Sequence, residues 1–570
     1  MTPADDPTTL PAALHQLRAA VEATRLPLDT PDAPTARSAR TELLNQLDDY
    51  IIPRASSLDA PLLAVVGGST GAGKSTLVNS VVGEIVTKPG VLRPTTRAST
   101  LIHNPRDERW FTGDRVLPGL ARLSGADQGE QDPATLRLVS SDNLPLGLAL
   151  LDAPDIDSVV SANRDLARQL LSAADLWIFV TTATRYADAV PWDLLHQAAQ
   201  RGTSLAIVLD RVPLDAMEEV RSDLAGMLAD QGLGQSPVFA VAESKLSADG
   251  MLPLSEVVRI RGWLGSLASD AHARQIVIRR TLDGALASLD QRANALRNAS
   301  SDQVAAVRAL RQAPETAYAG AIEGVKEGMR DGTLLRGEVL ARWQEFVGTG
   351  ELLRQLEAGV GKLRDRVVAF ARGRGKQEPA ENLGEALHEG VAALLLAHAE
   401  TAAITTVRQW RALPGGAPLA DGHKELAAVS PAFHERVERL VRDWQGDVLQ
   451  MVRDEAGEKR STARFLAFGV NGIAVMLMII TFSATAGLSG AEIGIAGGSA
   501  VLAQRLLEAV FGDQAVRTLS MRARARLLER TKELYDAESG RFGTVLDTVT
   551  EGATDRDLLG PALQGVNAAR

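Results

Sequence analysis

One short run limits what this 570-residue chain can fold into. Gly68-Ser-Thr-Gly-Ala-Gly73-Lys74-Ser75 matches G-x-x-x-x-G-K-[ST], and it lies after the apolar run Leu62–Val66 and before the helical stretch Thr76–Val82. That order calls for strand, loop and helix in immediate succession. Glycines let successive backbone N–H groups turn inward around phosphate oxygens, and the helix N-terminus adds partial positive charge. Lys74 is therefore expected to bridge the β- and γ-phosphates of a nucleoside triphosphate, and the Ser75 hydroxyl to ligate Mg²⁺. The whole loop, Gly68, Ser69, Thr70, Gly71, Ala72, Gly73, Lys74, Ser75 and Thr76, is read as nucleotide-binding. It is silent about the base.

The surrounding pattern gives the loop a domain. Apolar runs at Leu62–Val66, Leu146–Leu151, Leu176–Val180, Leu205–Leu209 and Val238–Ala242 alternate with helical segments. Continuous apolar runs of this length predict a mostly parallel sheet covered on both faces. Aromatic residues make up only 4% of the chain, which disfavours large β-sandwiches and propellers. Beyond about Val257 strand signals stop, and long periodic stretches at 271–313, 317–373, 381–413 and 424–460 predict a helical bundle. Pro53 is expected to end a helix that carries Leu43, Leu47 and Ile51, and Pro314 to separate two of the long helices. The expected fold class is an α/β P-loop NTPase domain followed by a long all-α helical bundle or stalk, to which the uncharged stretch described below adds a membrane-inserting hydrophobic hairpin. The expected division is 1–58 as N-terminal helices on the stalk, 59–268 as the nucleotide domain and 269–463 as the stalk. Residues 464–512 form the membrane tip and 513–570 the returning helices.

Charge and cysteine content narrow the function. Lys and Arg total 61 against 71 Asp and Glu, a formal net charge of −10. No global excess of positive charge is available to neutralise nucleic-acid phosphates, so no nucleic-acid partner is expected. The chain has no cysteine, which excludes disulfides, thiolate metal sites and cysteine nucleophiles. No signal peptide is read at the N-terminus. The scattered histidines suggest no transition-metal site, and His103 reads as a surface residue.

The chain resembles a bacterial dynamin-like GTPase of the dynamin and Era-like kind. Gly67-Gly-Ser-Thr-Gly-Ala-Gly-Lys-Ser-Thr-Leu-Val-Asn79 is similar to that group's loop and first helix. Pro94-Thr95-Thr96-Arg97 resembles its first switch, and Asp152-Ala-Pro-Asp155-Ile-Asp-Ser158 its D-x-P-G-x-D-S second switch. The resemblance implies that Lys74, Thr96 and Asp152 are catalytic. It also implies that Ser75, Thr96 and Asp152 (through water) hold Mg²⁺. Asp152 follows an apolar run, which places it at a strand's C-terminal end, where open α/β sheets bind ligands. The segment Asp210-Arg211-Val212-Pro213 stands where the family reads guanine with N-K-x-D, leaving Asp210 and Arg211 as the base-side residues. Asp155 replaces the switch glycine, and Thr70-Gly71 replaces the dynamin Gln-Ser pair. GTP is the expected nucleotide and ATP the alternative.

Phe465–Ala491 carries no charge and is long enough to cross a bilayer. Basic residues on both sides, among them Lys459, Arg460, Arg464, Arg505 and Arg517, favour a hairpin with both ends inside. The alternative is a buried core helix. A lipid bilayer is accordingly an expected partner, with the chain at the cytoplasmic face of a bacterial cell membrane. The family also implies self-association through the nucleotide domain. Two rival functions stay open. One is an ABC-like ATPase, echoed in Leu123-Ser-Gly-Ala-Asp127 and Leu150-Leu-Asp-Ala-Pro-Asp155. The other is a nucleotide-binding scaffold with negligible turnover.

Overall fold

The computed structural model describes residues 9–87, 99–113, 115–124, 135–157, 161–200, 203–330, 341–342, 378–457, 479–480 and 513–570. It divides into two compact units. The first comprises 1–26, 32–302 and 552–570; the second comprises 27–31 and 303–551.

The first unit is built on an eight-stranded sheet in the order β3-β4-β2-β5-β1-β6-β7-β8. Its strands are β1 (Leu62–Gly68), β2 (Ser99–His103), β3 (Ala121–Ser124), β4 (Thr135–Ser140), β5 (Leu148–Asp152), β6 (Leu176–Thr182), β7 (Ser204–Val212) and β8 (Val238–Ala242). All neighbours run parallel except β2 and β5. β1 and β6 are buried at every residue, which is why their sequences show no alternation. Leu63 and Val65 of β1 and Trp177 and Phe179 of β6 face one apolar cluster. Helices α5 (Ser161–Ser172), α6 (Ala189–Gln200) and α7 (Met217–Asp230) close it. Leu62, Ala64 and Val66 face the opposite cluster, closed by α4 (Lys74–Val82) and α8 (Leu254–Ser269). The expected parallel sheet with helices on both faces is what forms.

Three strands had no apolar run to announce them. β4 alternates buried and half-buried residues. β2 is buried but begins Ser-Thr and ends in His103, which is 2% exposed and stacked on Phe111 rather than lying on the surface. The run expected from Leu146 also starts later: Gly147 turns the chain with φ +87, and β5 begins at Leu148.

At the N-terminus, α1 (Leu10–Ala23) and α2 (Ala33–Gln46) lead into a π turn, Leu47–Ile51, and then α3 (Ile52–Ser56). Pro53 therefore does not end the helix. It follows the wider π turn, a place where helices absorb irregular hydrogen bonding. Leu14, Leu17, Leu47 and Ile51 pack with Leu282, Leu286 and Leu289 of α9 (Ala271–Arg330), and with Leu559 and Leu563 of α14 (Leu559–Ala569). The first unit thus takes in the opening of α9 and the last helix, both of which the expected division placed in the stalk. α3 is also tied to the sheet. The Arg54 guanidinium pairs with Asp175 in a site where both side chains are buried, and Arg54 Nη2 donates to Pro61 O at 2.7 Å. Leu63 N donates to the same Asp175 carboxylate at 2.7 Å.

The second unit packs the rest of α9 with α10 (Glu378–Ala412), α11 (Gly416–Gly422), α12 (Phe433–Gly457) and α13 (Asp513–Val549) around one core. Pro314 was expected to break the first long stretch, yet α9 runs through it for 60 residues. Proline removes the N–H that would bond the carbonyl four residues back, a loss of about 3 kcal/mol or more in a helix interior. Here Trp410 Nε1 donates to that carbonyl, Leu310 O, at 2.8 Å, and the indole is fully buried. Two further clamps join the helices: Trp444 Nε1 donates to Ala523 O at 2.8 Å, and Tyr535 Oη to Leu395 O at 2.6 Å.

Of the expected membrane tip, Ile479 and Ile480 are described and are buried in this core; the rest of 464–512 lies outside the described residues. Among the described residues, Asn382–Ala412 is long and apolar enough to cross a membrane by length and composition alone. Leu383, Leu387, Leu395 and Trp410 of that helix belong to the core of the unit, as in a buried helix of a soluble bundle.

Trp410→Phe should lower the stability of the helical unit by about 1–3 kcal/mol, the penalty for an unmet buried carbonyl. In a Pro314→Ala background residue 314 regains its N–H, so the same change should cost clearly less. Urea unfolding of the four chains, followed by helical circular dichroism, measures that difference; equal losses in both backgrounds would refute the pairing.

Burial pushes the Asp49 carboxyl up to about 6, with Asp48 adding to the rise and the Gln169 amide and Arg122 opposing it. The folded form therefore keeps its proton to about pH 6, while the unfolded chain releases it near 3.8. Stability should fall as pH climbs through that window, by roughly 3 kcal/mol at most. Asp49→Asn should raise the melting temperature at about pH 7.5 and leave it nearly unchanged at about pH 4, as thermal melts at both values would record.

Candidate phosphate site

The site forms where β1 ends. β1 and β5 pair in parallel with Val66 opposite Asp152, so the phosphate loop leaves one strand beside the carboxylate that ends its neighbour. Two glycines in the loop are fixed by sterics. Gly73, at φ +91, precedes α4, and a Cβ there would strike the Asp210 carboxylate. A Cβ on Gly68 would strike the Val180 carbonyl of β6. Among the described residues no side chain caps α4; Leu77 N makes the first helical bond, to Gly73 O at 2.8 Å. The first-turn N–H groups and the positive end of the helix dipole therefore face the loop.

Lys74 is 6% exposed, and its Nζ donates to Gly68 O and Ser69 O, both at 2.9 Å, and to the Asp155 carboxylate. Ser75 Oγ donates to Asp152 Oδ2 at 2.7 Å. Among the described residues, the second oxygen of Asp152 is buried without a hydrogen-bond partner. Burial pushes this carboxyl up, while the Ser75 hydroxyl, the Lys74 ammonium and Thr87 pull it down. A buried carboxylate beside a serine hydroxyl is an oxygen donor set suited to a hard divalent cation. Among the described residues no group of three His, Cys, Asp or Glu side chains forms a metal cluster. A magnesium ion, which takes most of its ligands from phosphates and water, does not require one.

The structure brings together Gly68 through Thr76, Asp152, Asp210 and Arg211. Thr96 and the rest of the first switch lie outside the described residues. Asp210 is 7% exposed; burial pushes its carboxyl up, against the Arg211 backbone and guanidinium, and among the described residues Oδ1 has no hydrogen-bond partner. Arg211 adopts φ +56, rare for a side chain of its size, and its Nη2 donates to Gly71 O at 2.5 Å.

Two groups that the sequence did not assign complete the site. Asp157 Oδ1 accepts from both Thr70 N and Thr70 Oγ1, each at 2.6 Å. Arg185, just after β6, donates to the other Asp157 oxygen at 2.9 Å and to Thr70 O at 3.1 Å. Burial alone would raise the Asp157 carboxyl, but Thr70 and Arg185 outweigh it and hold it below its ordinary value. Asp157 lay within the quoted switch motif; nothing around Arg185 marked it. Asn79 on α4 pins the chain running toward the first switch: its Oδ1 accepts from Val86 N and Thr87 N, and its Nδ2 donates to Thr87 O.

No curated protein matches the chain in sequence. Two similar solved structures come from work on an oligomerised bacterial dynamin pair, described as a mechanism for long-range sensing and tethering of membranes. One is 10% identical with a TM-score of 0.44, covering 99% of this chain and 95% of that one. The other is 12% identical with a TM-score of 0.37, covering 90% and 95%. Residues 63–212 match the model of the dynamin family. They run from β1 to the end of β7 and include every described residue of the phosphate site. The ABC-like reading gains no support from that match. The domain built on residues 63–212 is a dynamin-family domain.

Proposed function

We propose that the chain is a membrane-associated, dynamin-like GTPase that binds and hydrolyses GTP with Mg²⁺ and couples the nucleotide state to its helical region. The observation that carries this is the convergence of Lys74, Ser75 and Asp152 at the adjacent ends of β1 and β5, inside the family match. Lys74 and the open N–H groups of α4 would bind the phosphates. Ser75 and Asp152, with Thr96 from the first switch, would hold Mg²⁺, which neutralises charge developing on the transferred phosphate. The reading of Asp210 and Arg211 as base-side residues belongs to the same proposal. So do the membrane tip at 464–512, placement at the cytoplasmic face of the membrane, and self-association through the nucleotide domain.

A second reading, a nucleotide-binding switch with negligible turnover, is favoured by one observation: Asp155 stands on Lys74 where the family has glycine. Steady-state phosphate release with and without liposomes separates the two. Release that exceeds the Lys74→Ala background and rises on liposomes supports the GTPase; release equal to it supports the switch.

Lys74→Ala should weaken binding of a fluorescent GTP analogue about a hundredfold, the loss of a charge-assisted contact of about 3 kcal/mol. Chelating Mg²⁺ should weaken wild-type binding and change Ser75→Ala much less. Titrations with GTP and ATP analogues side by side test the base, and a large preference for ATP would overturn the assignment. For the membrane tip, complete release of the chain by a carbonate wash of membranes would exclude integral insertion.

A further inference from the structure

The phosphate loop already holds two carboxylates of its own chain. An ammonium group has three N–H donors, and those of Lys74 are all engaged: two on loop carbonyls and the third on Asp155. The backbone N–H of Thr70, one of the loop donors that would turn toward phosphate, is engaged by Asp157, as is the Thr70 hydroxyl. Arg185 fastens Asp157 in that position through its second oxygen and reaches the Thr70 carbonyl as well. The three residues Asp155-Ile156-Asp157 therefore lie across the loop with an anionic group at each end. Ile156 in the middle is buried in the apolar cluster beneath, and its N–H donates to Gly68 O at 3.4 Å.

We propose that this segment is a built-in competitor of the nucleotide, with the Asp155 carboxylate occupying the place on Lys74 that a terminal phosphate oxygen would take. The proposal rests on reading the loop as a nucleotide site. A triphosphate and Asp155 cannot share one buried ammonium, because the two anions repel and no N–H remains for the newcomer. Binding must first part the Lys74–Asp155 pair, so the apparent affinity is the intrinsic affinity scaled by the fraction of molecules with the pair open. The release is local. The Asp155 side chain is 36% exposed while Lys74 is 6% exposed, so the carboxylate can swing into water and leave the ammonium in place. A glycine at this position offers no such competitor. The substitution that departs from the family motif thus becomes a threshold on nucleotide loading, and expulsion of Asp155 marks the loaded state.

The test uses the full-length chain, a fluorescent GTP analogue and Mg²⁺. Asp155→Asn keeps size and shape but removes the charge, and Asp155→Gly removes the side chain. Both should bind the analogue about tenfold or more tightly and associate faster, while Lys74→Ala should bind weakly with or without the Asp155 change. Without nucleotide, Asp155→Asn should melt below wild type, because an ion pair has been lost; circular dichroism establishes that each variant is folded. Affinities for Asp155→Asn and Asp155→Gly equal to or weaker than a Lys74-dependent wild-type affinity would overturn the competitor while leaving the nucleotide site standing. Failure of every chain to bind would remove the site itself, and the competitor with it.

Discussion

The parallel pairing of β1 with β5 is the constraint on which the site depends. Its register sets Val66 opposite Asp152, so the phosphate loop and the carboxylate emerge side by side from the same edge of the sheet. β1 pairs with β6 on its other flank, and the Val180 carbonyl there presses against Gly68. The loop is thus held between two strand ends. A one-residue slip would exchange the residues of β1 between its two apolar faces and separate Ser75 from Asp152.

The sheet is fastened to its helical flank by a small polar knot. Asp175, at the entrance to β6, is fully buried, takes the Arg54 guanidinium and the Leu63 N–H on its carboxylate, and accepts the Thr281 hydroxyl on its backbone carbonyl at 2.9 Å. Four chain segments therefore meet at one residue. A buried pair of this kind adds little net stability, but losing one partner strands a charge and typically costs 3–5 kcal/mol. What the knot supplies is position: α3 and the opening of α9 sit on the sheet in one way.

How far the sequence reveals this depends on how local each cause is. β1, β6 and β7 were legible because strands buried on both faces must be apolar throughout; β8 was legible because it too is continuously apolar, although Val238–Ala240 are half-buried. The phosphate loop was legible because its glycines and lysine serve contacts within a few residues. β3 and β4, at one edge, carry Arg122 and Arg137 among their residues and left no such trace. The two prolines misled for a related reason. The rule that proline breaks helices is local, whereas Pro53 is accommodated by a π turn and Pro314 by an indole from a helix about a hundred residues away. In the site, the change from glycine to Asp155 was visible as a departure, but its partner was not. Whether an aspartate meets a lysine or repels a phosphate is decided by the chain's path. Arg185 lay in no motif, and only the packing of the segment after β6 against the loop brings it into play.

The indole of Trp410 also bears on how the helical unit can move. Most helix pairs touch through side-chain ridges that repeat with each turn, so one helix can ratchet along another by about 5.4 Å and find similar neighbours. A single carbonyl left bare by Pro314 has no equivalent a turn above or below. Shifting α9 against α10 by one step would orphan both the Leu310 oxygen and the Trp410 nitrogen in a dry interior. The two helices are thereby pinned against sliding, and a push delivered along one is passed to the other as motion of a joined rod.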